Sequence, residues 1–239
     1  MKRKNMDIRE YPIELIRYFA YRPWDGVSIQ EAILADKTGI VGRAYDCSGG
    51  MHALEFRQDG KPAKTHPRKV FKIALYFGIR NPFILAGTLL HDTIEDVHKA
   101  ILELISMGYP PSVYIIVRNV SKTEDMTDEE HFGLIIMHYD SIVVKLCDRL
   151  HNIRNMAKNL YLQKKFSKKR LRKYIAETIK FVYPLGDKIS NSGHEYAKES
   201  EQIYLAIQEA VYYSHEVLKV PKKVILRYQR KRKQHSLIK

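Results

Sequence analysis

Apolar and polar residues alternate along most of this chain with the spacing of helices. The clearest stretch is Val70, Ile73, Ala74 and Phe77, at i, i+3, i+4 and i+7, the repeat of a helix with one face on a core. Thr65-His66-Pro67 precedes it. Pro67 suits a first helical turn and Thr65 is a candidate cap, so the pattern predicts a helix from there to Gly78. Asn81-Pro82 opens the next helix, expected to run to about Val97. Ile13, Leu15, Ile16, Tyr18 and Phe19 predict a short helix after Pro12. Ser28, with Glu31 three residues on, reads as the cap of another through Lys37.

Asp46-Cys47-Ser48-Gly49-Gly50 reads as a turn or loop. A helix from Met51 to about Arg57 is expected after it, broken by Gln58-Asp59-Gly60-Lys61-Pro62. Residues 98–108 predict a short helix stopped by Gly108 and Pro110-Pro111. Ser112 to Val120 is rich in Val, Ile and Tyr and resembles a strand locally, but its helical neighbours favour a helix. Thr127-Asp128-Glu129-Glu130 begins a segment through Met137. Ser141–Lys158, Phe166–Gly186 and Glu195–Lys219 predict three longer helices. Strand alternation is scarce and repeats are absent, so the expected fold is all-α, a helical bundle. The divisions expected are an N-terminal helical extension over residues 1–45, a core over 46–190, a helix packing on it over 191–220, and a basic tail over 221–239.

Composition adds limits. The chain has 239 residues, 45% of them apolar, enough for one sizeable core. No apolar run is long enough to span a bilayer, and the basic N-terminus lacks the apolar segment of a signal peptide. The expectation is a cytoplasmic protein without membrane association. Cys47 and Cys147, the two cysteines, form no metal-binding C-x-x-C pair. The net charge is +14. Basic runs at residues 164–173 and 222–233 are ordinary solvated faces, or they hold phosphates or nucleic acid. Oligomeric state is not written in the pattern.

One place breaks the apolar logic. Phe83-Ile84-Leu85-Ala86-Gly87-Thr88-Leu89-Leu90 runs straight into His91-Asp92-Thr93-Ile94-Glu95-Asp96. Charges at the end of such a run are costly unless paired or bound to metal. His66, His91, Asp92 and Asp148 have the character to hold one first-row divalent ion. On a continuous helix Glu95 and Asp96 follow His91 and Asp92 by one turn and share their side. Asp148, His151, Asn152 and Asn155 form a polar stripe at i, i+3, i+4 and i+7.

These residues carry a resemblance. His66-Pro67, Leu90-His91-Asp92-Thr93-Ile94-Glu95-Asp96 and Val144-Lys145-Leu146-Cys147-Asp148-Arg149-Leu150-His151-Asn152-Ile153-Arg154 resemble the HD-domain superfamily. More narrowly, they resemble the hydrolase domain of RelA/SpoT-type alarmone enzymes, from about His52 to Met156. The resemblance implies an all-α bundle around one metal site, removing the 3′-pyrophosphate of ppGpp or pppGpp with Mn²⁺. His66, His91, Asp92 and Asp148 match the metal ligands. Glu95 and Asp96 match the acidic pair that handles the attacking water. Asn152 matches a sugar and site contact, Arg57 the basic residue packing on the base, and Lys122 in Val120-Ser121-Lys122 a residue facing phosphate. Asn155 stands where Thr is common, which bears on base or ribose selectivity. His151 reads equally as an orienter of a ligand or as structural. Two other readings fit: an HD phosphohydrolase for another phosphorylated nucleotide or dinucleotide, and a basic nucleic-acid-binding protein on an HD scaffold.

Overall fold

A computed structural model describes residues 11–51, 54, 56, 57, 60, 62–92, 101–163 and 166–219. The first helices are α1 (Tyr11–Ala20), a 3₁₀ turn (Pro23–Gly26), α2 (Ile29–Ala35), α3 (Ile40–Met51), α4 (Thr65–Tyr76) and α5 (Pro82–Leu90). After them come α6 (Ile101–Ser106), α7 (Pro111–Val120), α8 (Asp128–Ile136), α9 (Tyr139–Gln163), α10 (Lys168–Glu177), α11 (Tyr183–Ser190) and α12 (Ala197–Lys219). Among the described residues there is no strand, only an isolated bridge between Phe56 and Pro62. The all-α expectation holds, including for the Val- and Ile-rich α7. Its Val113, Ile116, Val117 and Val120 are buried at helical spacing, so the tertiary face overrides β propensity.

Helix α9 is the axis of the fold. It packs against α4, α5, α7 and α12, and also touches α1, α8, α10 and α11. Ile142, Val143, Val144, Leu146, Cys147, Leu150 and Ile153 are all fully buried, so this helix has core on nearly every side. Helix α5 is its short counterpart, with every residue from Ile84 to Leu90 buried. Gly87 permits its close approach to α7. A Cβ there would lie 2.7 Å from Ile116 Cγ2, closer than packing allows without displacement.

Local chemistry sets most boundaries where the pattern put them. Asn81 caps α5, its side chain accepting from Phe83 N at 2.9 Å and Ile84 N at 3.4 Å, with Pro82 in the first turn. Thr127 and Glu130 form a reciprocal capping box on α8. Ser28 caps α2 through Glu31 N, but the helix stops at Ala35, before Lys37.

Four expectations over residues 46–92 are corrected. Residues 46–50 are helix, not loop, because α3 runs through them to Met51. Ile40, Val41, Ala44 and Ser48 form its buried face, and that burial outweighs the cost of Gly49 and Gly50 in a helix. The helix expected from Met51 to Arg57 is therefore displaced: α3 ends at Met51, and Phe56 sits in the bridge to Pro62. Thr65 is the first residue of α4 rather than its cap. Its hydroxyl donates to Pro62 O at 2.7 Å, closing the turn that feeds the helix. Finally, α5 stops at Leu90, so His91 and Asp92 lie in the turn beyond it.

Phe166–Gly186 was expected as one helix. The structure begins at the Ser167 cap and widens to a π stretch over Thr178–Val182 before continuing as α11. Pro184 supplies the physical reason: it has no N–H to continue the ladder, and the wider turn ends where it enters. The Thr178 hydroxyl donates to Tyr174 O and accepts from Arg149 Nη1, while Arg149 Nη2 donates to Glu177 Oε1 at 2.7 Å. The wider turn is thus joined to α9.

His131 on α8 gives the fold a pH dependence. It is buried and its Nε2–H donates to Val120 O at 2.9 Å. Burial, then the nearby Lys145 charge, lowers its pKa to about 4 from 6.5. The unfolded chain takes up this proton as pH falls below about 6.5, whereas the native state does not until about 4. The stabilisation is therefore complete above pH 6.5 and is lost on acidification across that window, at up to about 1.4 kcal/mol per pH unit. His131→Gln keeps an N–H donor and should flatten the wild-type stability slope between pH 6.5 and 4 in urea titrations. Identical slopes in the two proteins would exclude this role.

Candidate metal centre

Three separate parts of the chain meet at one buried point. His66 is the second residue of α4, His91 and Asp92 follow the C-terminal end of α5, and Asp148 lies midway along α9. His66 Nε2 is 3.1 Å from His91 Nε2, 3.1 Å from Asp148 Oδ1 and 3.3 Å from Asp92 Oδ2. His91 Nε2 is 2.9 Å from Asp92 Oδ1 and 3.7 Å from Asp148 Oδ1. All four residues are buried, and ligand atoms of His66, His91 and Asp148 lie within 4.8 Å of one another.

The outer nitrogens explain how the rings face. His91 Nδ1 lies 2.8 Å from Thr88 O. A carbonyl only accepts, so Nδ1 carries the proton. The same contact satisfies a carbonyl that the end of α5 leaves without a helical partner. His66 Nδ1 meets His151 Nδ1 at 2.7 Å, and one of the two must donate. With His66 as donor, its Nε2 lone pair points at the centre. Two imidazole nitrogens and two carboxylates then face one another, an arrangement stable only around positive charge. The helix end adds negative partial charge from its last carbonyls.

Electrostatics agree. Burial opposes a charge on His91, but Asp92 and Asp148 outweigh it and hold its pKa well above the usual value. Burial likewise opposes ionised Asp92 and Asp148, yet the two histidines hold both carboxyl groups below the ordinary range. Burial lowers His66 despite the same carboxylates. His151 is pushed well down by burial and by the His66 and Arg57 charges, and so stays a neutral acceptor. The donor set fits a divalent first-row ion, which would replace protons as the central positive charge.

Around this point, Asn152 Nδ2 donates to Asp148 Oδ1 at 2.5 Å and its Oδ1 accepts from Arg57 Nη2 at 3.1 Å. Lys145 Nζ is 3.8 Å from Asp148 Oδ2. Ser121 Oγ donates to His91 O at 3.3 Å, fastening the end of α7 to the turn.

No protein-family model matches the chain. A GTP pyrophosphokinase of Streptomyces coelicolor is 32% identical over 162 residues, 62% of this chain and 18% of that protein. A guanosine-3′,5′-bis(diphosphate) 3′-pyrophosphohydrolase of Haemophilus influenzae is 30% identical over 179 residues, 70% of this chain and 24% of that protein. The chain thus spans about a fifth of the length of these curated relatives. Among solved structures, a metazoan ortholog of SpoT described as hydrolysing ppGpp superposes with a TM-score of 0.54 at 20% identity, over 72% of this chain and 96% of that one. Over most of its length this chain is similar to RelA/SpoT-type proteins, and its fold is that of the metazoan SpoT ortholog.

Within this fold, the residues singled out from sequence divide into groups. His66, His91, Asp92 and Asp148 converge. Arg57 and Asn152 join them through the hydrogen bonds above. Asn155 is buried on the same α9 stripe, one turn beyond His151. Lys122 follows the Ser121 anchor, but its ammonium is held by Asp128 Oδ1 at 2.5 Å. Glu95 and Asp96 lie outside the described residues. Sequence reasoning passed over Lys145 and Ser121. Lys145 was visible as the lone charge in the apolar run Ile142–Cys147, whereas Ser121 was quoted only as part of Val120-Ser121-Lys122 and its bond to a backbone carbonyl could not be read from sequence. The structure turns His151 toward the orienting role.

That role can be measured. His151→Phe removes the acceptor for His66 Nδ1–H and should weaken divalent-ion binding by about 10–100-fold in calorimetric titration. His151→Gln, which restores an acceptor, should recover part of it. Unchanged affinity in His151→Phe would leave His151 a packing residue.

Proposed function

We propose that the protein hydrolyses the 3′-pyrophosphate of guanosine alarmones, ppGpp and pppGpp, to GDP or GTP and pyrophosphate, with Mn²⁺ held by His66, His91, Asp92 and Asp148. The observation that carries the reading is the buried meeting of two imidazoles and two carboxylates from three chain segments, with Arg57 and Asn152 beside it. It is supported by relatives named for ppGpp hydrolysis. When bound, a divalent ion supplies Lewis-acid chemistry, lowering the pKa of water and shielding phosphate charge. His151 fixes the His66 ring through Nδ1, and the Thr88 carbonyl fixes His91. Asn152 orients Asp148 and holds Arg57, a planar cation suited to stacking on a purine. Glu95 and Asp96 are assigned to the attacking water, taking its proton or orienting it. Lys122 and Asn155 are assigned to substrate, Lys122 only after exchanging Asp128 for a phosphate oxygen.

No helix among the described residues is long and apolar enough to cross a membrane. The test of substrate is a panel of ppGpp, pppGpp and other 2′- or 3′-phosphorylated nucleotides, with and without Mn²⁺. Mn²⁺-dependent release of pyrophosphate and GDP from ppGpp is expected. Turnover of another nucleotide with none of ppGpp would refute the substrate, and no turnover of any would refute the reaction.

A further inference from the structure

A second cluster of ligating side chains lies outside the candidate centre. Cys47 and Met51 sit one turn apart on α3, and Met107 follows directly after α6. Cys47 Sγ is 3.8 Å from Met51 Sδ and 3.8 Å from Met107 Sδ. We propose that Cys47, Met51 and Met107 form a three-sulfur site for a soft monovalent metal ion, Cu(I).

Two of the three sulfur–sulfur sides have the length of trigonal coordination. An ion about 2.3 Å from each of three sulfurs holds them about 4.0 Å apart, since the side of the triangle is √3 times its radius. The two measured separations already lie within a few tenths of an ångström of that value. One thiolate with two thioethers is a soft donor set that selects Cu(I), whereas the imidazole and carboxylate centre suits a harder divalent ion. The charges also close: Cu(I) replaces the thiol proton, which leaves to solvent, so the complex is neutral and needs no buried counter-ion. Access is open, because Cys47 is half-buried and Met107 is 44% exposed. Arg43, one turn before Cys47 on α3, stacks on Tyr109 at 5.5 Å, so a cation and an aromatic ring wall this side of the cluster. Cys147 does not compete: it is fully buried and desolvation pushes its thiol pKa far up.

The test uses the full chain, loaded with Mn²⁺, in anaerobic competition with a chromogenic Cu(I) chelator. Wild type should withdraw one equivalent of Cu(I) and Cys47→Ser none. Met107→Leu, a near-isosteric change at a 44% exposed position, should weaken binding by at least about tenfold. One equivalent of Cu(I) should also slow native-state alkylation of Cys47 by iodoacetamide, read by intact mass, by at least tenfold. Undiminished withdrawal by Cys47→Ser would overturn the site. So would equal affinity in wild type, Met51→Leu and Met107→Leu, which would reduce the cluster to a lone thiol packed on two thioethers.

Discussion

Asp148→Asn should lower Mn²⁺-dependent turnover of ppGpp by at least about 100-fold, because losing even a few kcal/mol of metal-centred stabilisation costs that much. Asp148 has more partners than Asp92. Its Oδ1 faces both histidines and Asn152, and its Oδ2 faces Lys145. The amide is isosteric and keeps a hydrogen-bond acceptor, so a loss would report charge rather than shape. Asp92→Ala should lose as much, since Asp92 bridges His66 and His91. Glu95→Ala, if that carboxylate handles the water, should lower kcat while leaving Mn²⁺ affinity in place, a split that separates it from the ligands. Lys122→Ala should lose much less, because Asp128 already holds its ammonium. The readout is pyrophosphate release at saturating Mn²⁺, with affinity measured separately. Normal turnover in Asp148→Asn and Asp92→Ala would remove the metal assignment.

The reason His91, Asp92 and Asp148 stood out in sequence is energetic, whereas His66 was legible only through the resemblance. A His and carboxylates at the end of the largely apolar Phe83–Leu90 run have no cheap structural explanation, and the same holds for Asp148 in the apolar run of α9. Caps were legible because they are local: Asn81 and Thr127 act within three residues. What the sequence hid were features set across the fold. The helix through Gly49 and Gly50 exists because Val41, Ala44 and Ser48 have a core to face. His151 orients His66 only because α4 and α9 lie side by side. The end of α5 at Leu90, where His91 Nδ1–H donates to the Thr88 carbonyl, was not visible in the helical spacing, and the expected stretch from 93 to 97 lies outside the described residues.

Arg154→Ala is the substitution expected to cost the fold most. Arg154 lies on α9 between the candidate centre and the N-terminal helices, and it is buried. Its Nη2 donates to Tyr18 O and to Tyr21 O, both at 2.6 Å. The guanidinium stacks on Tyr18 at 4.2 Å and lies 5.1 Å from the Trp24 ring. Removing it leaves two carbonyls without a donor and a gap beside two aromatic rings. Hydrogen bonds from a charged group contribute about 1.5–3 kcal/mol each, so a loss of roughly 3 kcal/mol is a moderate expectation. For a chain of this size that lowers Tm by roughly 6–12 °C. Arg154→Lys keeps the charge and loses the fork and the flat stacking surface, so it should recover less than half. The same contacts couple this anchor to the centre. Arg154 is three residues after His151, and the Arg22 charge between α1 and the 3₁₀ turn helps keep His151 neutral. Loosening the N-terminal helices should therefore weaken divalent-ion binding as well as stability, and proteolysis should cut first near Tyr21. A variant with unchanged Tm would show that α1 docks independently of this arginine, and unchanged ion affinity alongside a lowered Tm would separate the anchor from the centre.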